Sequence, residues 1–501
     1  MKSNVIALAI AGVASMCAMN AHAIQELSGA EAVTLQLSES GAGHMLLVPY
    51  FSTQNGNATL LSLINMDETN GKAVKVRFRG ALNGDSVYDL QVFLAPGDTW
   101  TANVSQNAAG LSYLTTADNS CTKPAAAIVN ATPFSMARLN PNDTALERAN
   151  GTREGYIEII NMADIPPQPT GVFPLITHAA DGKATCADTA SNSSWTALDV
   201  DMRSETAIAS YGLARPSTGL AANWSIFNVP KALSWGGNAL AFDATSVDIP
   251  VRGNVAYFPQ SDTPAPKAAL YSADPLFAGN TAQPSIVAAS MRDLPDMSTP
   301  YLNGVVNPYE QAKIIADALS VKSVANEFWT DKTIEASTDW LFTAPTKRFS
   351  VGVDYKSGAT AAVFNSSLSR NFNASNIVAT DRALCVATGK LSVRDRETLD
   401  GSAADEDLTS TNSPNSFCGA TSVLGFGGEA DGMSPVLSAN VANQNIKVAA
   451  QNGWFKMGTL AKNSVGIPFI GLAFAQAYNP QVSAGTSGNF GVTWQHRMFR
   501  R

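Results

Sequence analysis

Val74-Lys75-Val76-Arg77-Phe78-Arg79 alternates apolar and cationic side chains without a break. In an extended chain, successive side chains point to opposite faces. Val74, Val76 and Phe78 therefore share one face, and Lys75, Arg77 and Arg79 the other. The pattern predicts a half-buried antiparallel strand, with the apolar set on a core and the cations toward solvent. Leu90, Val92 and Leu94 repeat the alternation, and Pro96-Gly97-Asp98 ends it with turn chemistry. Upstream, residues 59–64 form a nearly continuous apolar run between the turn signals Asn55-Gly56-Asn57 and Asn70-Gly71. Short strands separated by turns read as a β-sandwich, immunoglobulin-like or related.

Further strands are expected over 156–161, 224–229, 340–343, 348–353, 446–454, 466–474 and 490–496. Leu63-Ile64-Asn65-Met66, Ile159-Ile160-Asn161-Met162 and Ile226-Phe227-Asn228-Val229 echo one another at unequal spacing. They read as a shared strand-end device rather than a repeat. One segment breaks the β pattern. Asn307 can cap, Pro308 suits the first helical position, and Glu310 offers a capping box, which predicts a helix over about 308–328. The fold class expected is mainly β: two sandwich halves, with one long helix in the second. Residues 24–262 would form the first half, the Pro-rich stretch 263–269 a linker, and 270–501 the second half.

The chain has 501 residues, 45% hydrophobic and 15% charged, enough apolar material for packed cores. Residues 1–23 have the layout of a secretory signal peptide: Lys2, an apolar run from Val5 to Ala18, then Ala21-His22-Ala23 as a small-x-small cleavage site. Export is the expectation, to the cell surface, the medium or the periplasm. Met16 before Cys17 is a poor lipobox, and no later stretch is long and apolar enough to span a bilayer as a helix. The remaining cysteines, Cys121, Cys186, Cys385 and Cys418, read as disulfides in an exported chain. Three pairings are open, and the sequence-local one, Cys121–Cys186 with Cys385–Cys418, is favoured. The net charge of −8 without a basic cluster argues against nucleic acid as a partner.

Similarity to a known group rests on stretches spread along the chain. They include Leu47-Val48-Pro49-Tyr50-Phe51, Lys72-Ala73-Val74-Lys75-Val76-Arg77-Phe78-Arg79 and Leu94-Ala95-Pro96-Gly97-Asp98-Thr99-Trp100-Thr101. Thr338-Asp339-Trp340-Leu341-Phe342-Thr343, Gly466-Ile467-Pro468-Phe469-Ile470-Gly471 and His496-Arg497 continue it. In these the chain resembles a family of exported proteobacterial cell-surface proteins. The resemblance implies a surface or extracellular location and carries over no catalytic residue.

Signatures of chemistry are sparse. His44, His178 and His496 are far apart and lack metal-ligand spacing. There is no Gly-x-Ser-x-Gly elbow, no Walker A loop and no dinucleotide fingerprint. Asp199/Asp201 and Asp405/Glu406/Asp407 are the dense acids; either could bind calcium, with Asp405, Glu406 and Asp407 as weak candidates, and no other cofactor is expected. Trp195, Trp224, Trp235, Trp340, Trp454 and Trp494 are available for sugar stacking, although core packing is the ordinary use of Trp beside strands. Val33, Leu35 and Leu37 alternate near the expected mature start and offer an assembly strand for a neighbour's sheet. These features point first to a non-enzymatic surface protein acting by self-assembly or adhesion. A glycan- or ligand-binding module and an exported hydrolase are the alternatives.

Overall fold

The computed structural model describes residues 29–199, 205–260, 271–274, 293–353, 355, 360–362, 371–372, 377–379, 383–388, 391–397, 416–427, 432–441, 443–446, 448, 450–459, 466–478 and 488–500. The expected signal peptide, Asp201, the linker 263–269 and the acids Asp405, Glu406 and Asp407 lie outside these residues. The described residues are mainly β, with 44% in strands and 12% in helices.

The Val74–Phe78 alternation lies in the strand Gly71–Gly80, inside an eight-stranded antiparallel sheet. Its main path runs Thr34–Leu37, Leu240–Ser246, Met45–Ser52, Glu154–Ile165, Gly71–Gly80, Ser86–Leu94, Cys121–Lys123. A five-stranded sheet faces it, in the order Leu233–Asn238, Leu220–Asn228, Asn57–Asn65, Thr99–Gln106, Ser112–Thr115. Val74, Val76, Phe78, Leu90, Val92 and Leu94 meet Leu61, Leu63, Trp100, Val104, Trp224 and Ile226 in one core, which makes the pair a sandwich.

The opposite face corrects the sequence reading. Lys75, Arg77 and Arg79 are at most 1% exposed, so the strand is buried on both sides. Residues 254–258 and 301–302 and the helix Pro308–Leu319 cover that face. Ala256 N–H donates to Met162 O at 2.8 Å, and Tyr301 OH donates to Asn161 O at 3.0 Å. Ala312, Ile315 and Leu319 pack on Met45, Leu47, Ile160 and Phe242. Alternation places the cations on one face; it cannot show that later chain will lie on them.

Asn307 caps the helix by accepting the Tyr309 N–H, and the helix ends at Leu319 rather than near Phe328. Ser320–Val321 and Ser323–Trp329 are strands. Val324, Phe328 and Trp329 are β-branched or aromatic, and pairing with Asn452–Gly458 outweighs their helix-like spacing. The expected strand 446–454 also divides, into Asn443–Ile446 and Asn452–Gly458.

In the second half, a four-stranded sheet runs Leu391–Asp395, Asn452–Gly458, Ser323–Trp329, Arg497–Phe499. A five-stranded sheet runs Asn443–Ile446, Thr421–Phe426, Ser337–Thr343, Leu472–Ala477, Phe490–Gln495. Val324, Phe328, Phe455 and Met457 pack against Trp340, Phe342, Leu424 and Phe426 between them. The other face of the five-stranded sheet belongs to the first sandwich. Leu341, Val423, Leu472 and Phe474 join its core, Trp235 Nε1–H donates to Ala475 O at 3.0 Å, and Thr343 OH donates to Pro49 O at 2.7 Å. That sheet is thus a layer shared by two cores, and it fixes where the four-stranded sheet presents its outer face.

Cys121 bonds Cys186 and Cys385 bonds Cys418, with S–S distances of 2.05 and 1.98 Å. Among the described residues, no helix is long and apolar enough to cross a membrane.

Candidate functional site

The outer face of the four-stranded sheet carries a groove of about 550 Å³. Period-two alternation builds it. On Ser323–Trp329, Val324, Asn326 and Phe328 are buried, which turns Ala325, Glu327 and Trp329 outward. On Asn452–Gly458, Phe455 and Met457 are buried, and Trp454 and Lys456 point out. Register then sets the neighbours. Glu327 sits opposite Trp454, which sits opposite Arg394; Ala325 lies between Lys456 and Arg497; Ser323 faces Phe499. The small Ala325 side chain leaves the middle of the face low, with larger groups around it.

Trp454 is 41% exposed and Phe499 47%. Trp329 stands edge-on to Trp494 with ring centroids 4.6 Å apart, so its ring is held from the side. Lys456 Nζ lies 5.1 Å from the Phe499 ring centroid, and Arg497 Nη2 is 3.6 Å from Glu327 Oε1. Asp395, Arg396 and Asn452 complete the lining. The face therefore combines flat apolar rings with carboxylate, guanidinium and amide groups at a solvent-accessible surface. This suits a ligand with an apolar face and a hydroxylated rim.

The remaining sequence candidates lie elsewhere. Trp100, Trp224 and Trp340 are at most 1% exposed and Trp235 is 3%; all are core residues. Trp195 packs on Phe93 at 5.0 Å, with Lys123 Nζ 4.5 Å from its ring centroid. Of the candidate tryptophans only Trp454 lines the groove. Trp329 and Phe499 are not among the sequence candidates, because the expected helix runs to about Phe328 and no strand is expected after His496. The signal was present in Ala325-Asn326-Glu327-Phe328-Trp329, whose alternation is that of a strand.

The histidines are packed into structure. His44 Nδ1 accepts the Ala244 N–H at 3.1 Å and lies 3.6 Å from Asp243. His178 Nε2 is 3.7 Å from Asp98. His496 is wedged between Asn326 and Leu341 O and stacks on Phe342; burial pushes its pKa down to about 3 despite that carbonyl. Among the described residues no serine hydroxyl meets a histidine nitrogen, and no group of three metal-ligating side chains converges. Asp199 accepts from Lys123 Nζ at 2.7 Å. In the N-terminal strand Thr34–Leu37, Leu35 is 3% exposed and Leu37 half-buried, Val33 just before it is 53% exposed, and the strand pairs with Phe242–Thr245 of its own chain.

A second cluster lies inside. Lys72 meets Asp164 at 3.0 Å, Lys75 meets Asp89 at 2.6 Å, and Arg79 meets Glu158 at 2.7 Å. Arg348 pairs with Asp274 within the second half, and Asp274 in turn lies 3.7 Å from Arg79 of the first. Burial works against ionised Asp89, but the Lys75 ammonium, aided by Arg77, outweighs it and holds the carboxyl down to about 2. Burial pushes the Lys347 ammonium down to about 7; it donates to Leu384 O at 2.6 Å and to Gly419 O. The adjoining cavity, lined by Asp85, Asp274, Lys347, Arg348 and Tyr355, measures about 30 Å³. That is room for water and not for a substrate, so the cluster acts as a joint between the halves.

No protein-family model, curated protein or solved structure matches the chain.

Proposed function

We propose that this chain is an exported, non-enzymatic adhesion protein that holds a saccharide in the groove of its four-stranded sheet. The observation that carries the reading is the outward set Trp329, Trp454 and Phe499, ringed by Glu327, Arg497 and Asn452. A pyranose presents C–H groups on one face and hydroxyls around its edge. The C–H face stacks on an aromatic ring, and the hydroxyls pair with carboxylate, guanidinium and amide groups. Exposing large aromatic surface costs free energy unless something covers it, and the groove falls within the ~300–1,000 Å³ usual for small-ligand sites. Two disulfides fit an oxidising compartment, and the resemblance to exported surface proteins points the same way. The test is retention of the full chain on an array of bacterial and host glycans, beside Trp454→Ala. Retention on a defined class of sugars that Trp454→Ala abolishes is expected. Equal retention of both proteins, or none on any sugar, would refute the reading.

A further inference from the structure

A different surface carries a separate inference. The five-stranded sheet of the first sandwich, Leu233–Asn238 through Ser112–Thr115, turns one face to the core and the other to solvent. Every outward position on it is Ala, Gly, Ser, Thr, Asn, Tyr or an apolar residue; none is charged. Leu60 is 43% exposed and Phe227 38%, among Ser62, Ile64, Asn223 and Thr101. Exposed sheet faces ordinarily carry interspersed charge. Both edges of the sheet are covered. Thr493 OH donates to Gly236 O at 2.8 Å on one side, and Phe134 N–H donates to Ser112 O at 2.7 Å on the other. What remains open is the face.

We infer that this face docks a second copy of the chain. Three features choose that occupant. The chain carries a net charge of −8, so two copies repel over most of their surface and approach best where no charge is present. The charges near the face are separated by end: Glu68 and Asp98 lie beyond the Asn65 end of the strands, Asp118 sits at the sheet edge near that end, accepting the Thr101 N–H at 3.1 Å, and Lys231 lies in the turn beyond the Asn228 end. A two-fold axis lying in the face and across the strands brings the acidic end of one copy to the basic end of the other, twice, which is the self-complementarity an isologous dimer needs. The area is also adequate. Five strands spaced ~4.8 Å, with roughly seven residues each at ~3.3 Å, give a face of roughly 550 Å². Two copies would bury about 1,100 Å², just above the ~1,000 Å² of a specific interface. The dimer is therefore weak, and a pair of saccharide grooves on one particle would bind an array by avidity.

Sedimentation equilibrium of the full chain over a wide concentration range tests this. The wild type is expected to dimerise in the micromolar range. Leu60→Asp and Asn223→Asp, both at exposed positions, should keep the wild-type circular dichroism and weaken dimerisation at least about tenfold, because each sets like charges face to face. Glu68→Lys and Lys231→Glu should each weaken it, and the double exchange should restore it. A wild type that stays monomeric throughout would overturn the inference and leave the face to another partner. Dimerisation unchanged by both aspartates would overturn it by placing the contact elsewhere.

Discussion

Arg79→Met removes a guanidinium that the strand alternation alone would place in water and the structure places in the interior. Arg79 Nε lies 2.7 Å from Glu158 Oε1, and Nη1 donates to Gly84 O at 3.1 Å. Both side chains are fully buried. Methionine keeps most of the stem's volume, so the cost comes from charge. Glu158 is left beside Tyr156 OH without its nearest cation, while Asp274 keeps Arg348. Breaking one partner of a buried pair costs ~3–5 kcal/mol, whereas a solvated surface cation contributes at most ~1 kcal/mol. Urea titration followed by tryptophan emission, which reports the buried Trp100, Trp224 and Trp340, reads the difference. Lys313→Met is the control, since Lys313 pairs with Asp317 on the exposed side of the helix. Glu158→Gln alone should also be costly, and the double variant should cost clearly less than the two singles together. An Arg79→Met protein within ~1 kcal/mol of the wild type, with an unchanged slope, would refute the buried joint.

Three further outcomes follow from the same geometry. Burial raises Asp339 to about 7 against the Leu437 and Val436 amides that pull it down. Its neutral form therefore favours folding; the contribution is full below the ordinary carboxylate value and lost as pH rises through about 7. The stability of the wild type relative to Asp339→Asn should accordingly fall between pH ~4 and ~8 by on the order of a few kcal/mol, read by urea titration at each pH so that Lys347 and His496 cancel. Trp340→Ala empties the centre of a cluster in which Phe426, Phe455 and His496 lie within 5.4 Å of its ring centroid; it should cost ~3–5 kcal/mol by the same titration. Replacing Cys121 and Cys186 together by Ser should cost ~2–4 kcal/mol, as a lowered urea midpoint that reductant no longer changes at that bridge.

Local chemistry made the first sandwich readable. Val74, Val76 and Phe78 alternate as a strand must, and turn residues bound the neighbouring strands. The asparagine echo was readable in part. Asn65 donates to Asn70 O and Ala95 O at a strand end, and Asn228 donates to Asn57 Oδ1 at another. Asn161 sits within a strand beside a register shift and donates to Asp164. Long-range chemistry was not readable. Lys75 meets Gln260 and Arg79 meets Asp274, both supplied by chain far downstream. The groove depends on the register of strands drawn from residues 323 to 499, so Trp329, Trp454 and Phe499 become neighbours only through backbone pairing. Helical spacing misled at Val324, where apolar residues compatible with either period were claimed by a neighbouring strand.

The saccharide groove is the central claim, and a calorimetric titration tests it most directly: the best-retained sugar from the glycan array against the wild type, Trp454→Ala, Phe499→Ala and Lys313→Ala. One site per chain is predicted, with affinity lowered at least about tenfold by either aromatic truncation and unchanged in Lys313→Ala. Equal affinity across all four proteins would place the sugar elsewhere and contradict the account.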